Sequence, residues 1–492
     1  MLSALSGAAS TLRNKLGESL SSVEKYNTPL EEATTSSLEA LKAYTDHLKI
    51  EREQGDAASI PYLKRAIELD PNFAAAYAAL GAAYSNLNRP SLARENFKKA
   101  YDLRERVSVC ERYQIEAFYY TFVTGEIEKA IQIYADWSED YPDSYIPHSN
   151  MGDSYGMLGQ YEKAIAEIRK SLRLNPDNSM PYANLANFYL SLNRFADAEN
   201  ALDEARKRNL DNQYLHHERY NLAFVKGDTS TMQEQLAWTG RAGSESAQLS
   251  AHSDTEAYYG RLNKARALTD RAVESAKRNE AIDTAALSQI NGALREAEFG
   301  NFPQARKAVA DALALSTGQD TQLLSALVLA RIGDCIPAAK LEDQIDRMAR
   351  LHTMFQAYWL PTIRAALALN CGSDQRAIEL LEPASAYELG QPLQFQFHAT
   401  LYPVYVRGVA YLKTGQGALA AAEFQKVLDH RGALVNFPLG ALAHLQLGRA
   451  YALSGDTAKA RIAYQNFLTL WKDADSDIPV LKAAEAEYAK LK

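Results

Sequence analysis

Apolar residues recur at three- and four-residue intervals along most of the chain, and polar or glycine-containing breaks interrupt them at short distances. That spacing predicts helices, each with one apolar face. Leu2, Leu5, Leu12, Leu16, Leu20 and Val23 predict a leading amphipathic helix, and Asn27-Thr28-Pro29 ends it. Leu38, Leu41 and Tyr44 open the next helix, with Ser36 or Ser37 placed as its N-cap. The neighbouring hydroxyls Thr34 and Thr35 offer an alternative, a phosphate at the helix N-terminus.

A longer regularity lies above the helical one. Residues 145–178 align without gaps on residues 179–212, a period of 34. The alignment pairs Met151 with Leu185, Gly152 with Ala186, Tyr155 with Tyr189, Ala164 with Ala198 and Ile168 with Leu202. Small residues are expected where two helices of one unit approach most closely, large ones where gaps must be filled, and Pro176 where the second helix stops. The frame continues upstream through 111–144, 74–107 and 40–73, and returns downstream in 401–434 and 441–474. Between them the signal weakens to turn glycines followed by alanines, as in Gly260 with Ala265, Gly300 with Ala305 and Gly333 with Ala338.

This pattern resembles the tetratricopeptide repeat, a helix–turn–helix unit. The resemblance implies an all-α solenoid, a right-handed superhelix whose first (A) helices line a concave groove. It also implies that each repeat touches only its neighbours. The expected organisation is an N-terminal helix and linker over 1–36 and a regular array over 37–212. Degenerate repeats follow over 213–400, then a C-terminal pair over 401–474 and a capping helix over 475–492.

Composition narrows the function. A net charge of -8 argues against a general nucleic-acid binder. No window is apolar for long enough to span a membrane. Cys110, Cys335 and Cys371 are far apart and odd in number, so they are expected to be buried free thiols suited to a reducing compartment.

Candidate chemistry is sparse. No phosphate loop, zinc-protease helix, nucleophile elbow or kinase triplet occurs, so no catalytic residue, metal or cofactor is expected. Asp473, Asp475 and Asp477 begin like a calcium loop, but Ile478 stands where the turn glycine belongs, and an acidic turn is expected. His216 and His217 are adjacent, so a helix cannot aim both at one ligand, and surface or groove histidines are expected. Asn150 and Asn184 hold the same place in successive repeats, and Asn187 lies further along the same face. Side-chain amides can bond both N–H and C=O of a bound backbone, which makes these three the candidate peptide-groove residues; solvated asparagines are the alternative. Ser149 and Ala183 stand beside them where a carboxylate-binding clamp would need cations.

Longer phrases are more specific, among them "RAIELDPNFAAAY", "ELGQPLQFQFHATLYPVYVRGVAYL" and "NFLTLWKDADSDIPVLKAAEAEYAKL". These resemble the C-terminal repeat half of bacterial, especially acidobacterial, signalling proteins that carry a serine/threonine kinase or winged-helix domain upstream. The resemblance implies a non-catalytic module that binds a partner protein or peptide, as the regulatory part of such a protein. A structural spacer or dimerisation scaffold is the alternative. Cytoplasmic location is expected for the chain as it stands, and an extracytoplasmic one if it belongs to a membrane-anchored kinase.

Overall fold

A computed structural model describes residues 7, 8, 11, 15, 35–238, 244–391 and 400–491. The N-terminal helix and linker expected over 1–36 thus lie almost wholly outside the described residues. The described residues form helices and turns only, and none of their helices is long and apolar enough to cross a membrane. The chain divides into two compact units, residues 1–142 and 143–492.

The first unit holds three helical pairs: α1 (Leu38–Gln54) with α2 (Asp56–Leu69), α3 (Ala74–Asn86) with α4 (Pro90–Asp102), and α5 (Val109–Phe118) with α6 (Ile127–Asp140). Ser37 caps α1, its Oγ accepting from the Ala40 N–H at 3.2 Å. Thr35 is buried and donates to the Asp70 carboxylate, which closes it to a phosphate. Close approach governs the pairs. A Cβ at Gly81 would lie 2.7 Å from the Phe97 ring of the paired helix, and one at Gly152 in the second unit equally near Ile168. This is the reason for glycine at that place in the repeat.

In the second unit the pairs continue with α7 (Tyr145–Met157) and α8 (Tyr161–Leu174), α9 (Ser179–Ser191) and α10 (Phe195–Lys207), and α11 (Gln213–Lys226) and α12 (Thr229–Ala237). The middle of the chain is equally helical: α13 (Ser244–Tyr258) with α14 (Leu262–Arg278), α15 (Ile282–Phe299) with α16 (Phe302–Leu315), and α17 (Gln319–Arg331) with α18 (Cys335–Met348). The pair α19 (Leu360–Cys371) and α20 (Asp374–Leu380) follows. Ala265, Ala305 and Ala338 are fully buried, and the glycines before them turn the chain at positive φ. The last elements are α21 (Tyr402–Lys413), α22 (Gly417–Asp429), the short α23 (Arg431–Leu434), α24 (Leu439–Leu453), α25 (Thr457–Leu470) and α26 (Pro479–Ala489).

Two expectations need correction. The repeats of this unit do not touch only their neighbours, because the C-terminal helices pack back on earlier ones: α23 on α9, α24 on α13, and α26 on α15. Burial gives the reason. Helix α24 is buried on every side from Leu439 to Ala443. Helices apolar all round need cover on both faces. The cysteine reading also fails. Cys335 and Cys371 form a disulfide with Cα atoms 6.0 Å apart, and Cys110 alone is free. Cys335 opens the second helix of one repeat and Cys371 closes the first helix of the next, so stacking brings them together.

Candidate peptide groove

Two residue columns run along the A helices of the second unit at the repeat period: Asn150, Asn184 and Glu218, and beside them Asp153, Asn187 and Asn221. Stacking sets a member of one column against a member of the other in the preceding repeat. Asn184 Nδ2 donates to Asp153 Oδ1 at 2.5 Å, and Asn187 Nδ2 to Glu218 Oε1 at 3.3 Å. Asn221 Nδ2 adds a bond to Glu218 Oε2 at 3.2 Å. The result is a ladder of amides and acids spanning α7, α9 and α11.

No cation is among the causes that set these acids. Burial pushes Asp153 up to about 8 against the amide bond from Asn184. Burial likewise pushes Glu218 up to about 7, with Asn221 and Asn187 pulling the other way. Near neutrality both carry a proton for much of the time, so the ladder is held by hydrogen bonds more than by charge. His217 is pushed down to about 4 by burial, which keeps it neutral as well. His216 is held between Asp211 and Gln235 and stacks on Trp238.

A segment from much later in the chain lies on this face. Gln391 Nε2 donates to Asn187 Oδ1 at 2.7 Å and to Ser191 Oγ at 3.3 Å, and the Gln391 N–H donates to the Met157 carbonyl at 3.1 Å. Tyr161 Oη donates to the Leu389 carbonyl, and the Leu389 side chain packs against the apolar core of α8 to α10. A Cβ at Gly390 would meet Met354 Cε at 2.6 Å and the Met157 carbonyl at 2.9 Å. On the other side, Glu388 is buried and receives Arg407 and Lys426.

The candidate asparagines therefore stand as follows. Asn150 is half-buried and its carbonyl accepts from Ser154 Oγ. Asn184 is buried and engaged by Asp153. Asn187 bridges Glu218 and Gln391. Stacking brings the two columns together; the strap formed by residues 388–391, which bonds Asn187, is invisible to a repeat alignment.

The C-terminal helices anchor on turns of the same unit. Asn193 donates to the Asp429 carbonyl at 2.6 Å and accepts from the Gly432 N–H at 2.9 Å. Trp471 Nε1 donates to the Tyr258 carbonyl at 3.0 Å. The Asp475 carboxylate accepts from the Asn263 N–H at 2.7 Å, so the acidic turn caps α14 from a distant part of the chain.

Comparison with known proteins agrees with the paired-helix geometry. Tetratricopeptide-repeat models match residues 62–95, 157–217 and 405–475. The chaperone protein YscY of Yersinia enterocolitica is 36% identical over 109 residues, covering 21% of this chain and 78% of the relative. The chain belongs to the tetratricopeptide-repeat (TPR) proteins. Solved structures similar to it include a TPR protein from Parabacteroides merdae, at 12% identity, TM-score 0.32, and coverage of 68% of this chain and 99% of that one. The type IV pilus biogenesis factor PilW is similar at 18% identity, TM-score 0.32, and coverage of 41% and 92%.

Two features of this TPR chain have signals in the sequence that the repeat frame alone does not capture. Cys335 and Cys371 are 36 residues apart, close to one repeat period. Trp471 closes the last full repeat and Asp475 follows it, where a plain solenoid has only a solvated end to fill.

Proposed function

We propose that this TPR protein is a non-catalytic module that binds a partner protein through a segment laid on the A helices around Asn150, Asn184 and Asn187. The observation that carries this reading is the ladder itself. It repeats at the period of the fold, and Asn187 and Ser191 already bond the side chain of a passing segment, Gln391. A surface that holds one chain segment by amide and carbonyl groups has the chemistry to hold another. The resemblance in sequence to kinase-bearing signalling proteins favours a regulatory or sensor role beside a serine/threonine kinase. The chaperone name of the Yersinia relative is compatible with a module that holds a partner.

The test is affinity capture from lysate of the source organism, comparing the wild-type chain with Asn150→Ala/Asn187→Ala. A partner enriched by the wild type and lost with the variant supports the reading; equal recovery by both sinks it. The spacer or dimerisation reading predicts a mass that rises with concentration in light scattering and no partner dependent on these residues. The disulfide between Cys335 and Cys371 favours work in an oxidising compartment, the extracytoplasmic arrangement.

A further inference from the structure

The strap differs from the other contacts that close the second unit. The C-terminal helices dock through large buried groups: Trp471 is 2% exposed, Ala441 and Leu442 are fully buried, and Gly432 lies against the backbone of α9. On the side facing α9, the strap contributes one half-buried leucine, one glycine and a set of hydrogen bonds. Contacts with little apolar burial belong to the low-stability end of a structure and open first. Its bonds also end on two polar groups of the A-helix face, the Asn187 side-chain carbonyl and the Ser191 hydroxyl.

We infer that Leu389-Gly390-Gln391 is an internal pseudo-ligand, and that the partner is recognised on the same face through a segment of the same chemistry. That segment carries an apolar side chain of leucine size, a glycine, and a side-chain amide. The inference rests on the reading of this TPR protein as a partner-binding module, and specifies which ligand the groove selects. Each feature has its reason on the groove side. The apolar side chain packs on the core around Tyr161 and Phe188. Glycine is required because a Cβ would lie 2.9 Å from the Met157 backbone carbonyl. The amide donates to Asn187 and Ser191.

The strap is tied to the C-terminal pair through Glu388, which bonds Arg407 of α21 and Lys426 of α22. Withdrawal of the strap therefore disturbs that carboxylate's partners, and binding in the groove is coupled to the C-terminal pair. A tethered segment competes at an effective concentration on the order of millimolar. A short free peptide loses that competition, whereas a partner with further contacts wins it.

The experiment is fluorescence anisotropy with a labelled synthetic peptide of the sequence AYELGQ, residues 386–391, titrated with the full chain. Wild type is expected to bind only weakly, because the strap competes. Gln391→Ala and Leu389→Ala free the groove and are expected to lower the apparent Kd from that weak value by about tenfold or more. Adding Asn187→Ala to either abolishes the gain. Circular dichroism checks folding, and if Leu389→Ala loses helicity the Gln391→Ala chain carries the comparison. Equal binding by wild type and variants, or by none, overturns the inference. A partner captured through Asn150 and Asn187 while the peptide binds no variant overturns the pseudo-ligand and leaves the partner-binding reading standing.

Discussion

Asp153 and Glu218 are buried acids bonded by amides, and their burial makes the groove sensitive to pH. Each has its proton affinity raised by burial, to about 8 and about 7 respectively. The folded chain thus binds protons that the unfolded chain has released. Their stabilising effect is complete below the ordinary carboxylate range, near pH 4, and is lost as pH rises through 7 and 8. Thermal denaturation should therefore give a lower Tm at pH 8.5 than at pH 5.5, since each tenfold difference in proton affinity between the folded and unfolded chain is worth about 1.4 kcal/mol. Asp153→Asn and Glu218→Gln should each flatten that dependence; an unchanged slope would contradict the assignment. The asparagines on this face were readable from their period, because position in the repeat fixes which face a residue takes. Their partners were not readable, because Asp153 and Glu218 look like ordinary surface acids until stacking places an amide on each.

Among elements, the repeats differ in how visible they are. Gly81 with Phe97 and Gly152 with Ile168 announce a close helix pair, since a Cβ at either glycine would lie 2.7 Å from the ring or branched chain opposite. The middle pairs lack such signatures and are held by buried alanines behind turn glycines, so their helices were legible and their burial was not. Docking of the C-terminal helices leaves no periodic trace at all. A Cβ at Gly432 would lie 1.9 Å from the Leu190 carbonyl. Gly432→Ala should release α23 from α9, seen as earlier cleavage near residue 432 in limited proteolysis while helix content by circular dichroism holds. Trp471→Ala should cost about 3–5 kcal/mol in denaturant unfolding, because a large buried side chain leaves a cavity and the Tyr258 carbonyl loses its donor.

Across the whole chain, the array yields two units, and in the second α23, α24 and α26 pack back on earlier repeats. The disulfide joins two consecutive repeats of that unit. Thiol titration of the unfolded, unreduced protein should count one reactive cysteine, Cys110, and three after reduction. Cys335→Ser/Cys371→Ser should lower stability by about 2–4 kcal/mol, read as a reduced denaturation midpoint. A count of three before reduction would remove the argument for an oxidising compartment. The central claim is that the groove of the second unit holds the chain's own strap. Hydrogen exchange read by mass spectrometry on fragments spanning 387–391 tests it most directly. Slow exchange of the Gln391 amide, which is bonded to Met157, is expected, with faster exchange there in Leu389→Ala while the amides of α9 stay protected. Exchange at the rate of an unstructured peptide in the wild-type chain would contradict it.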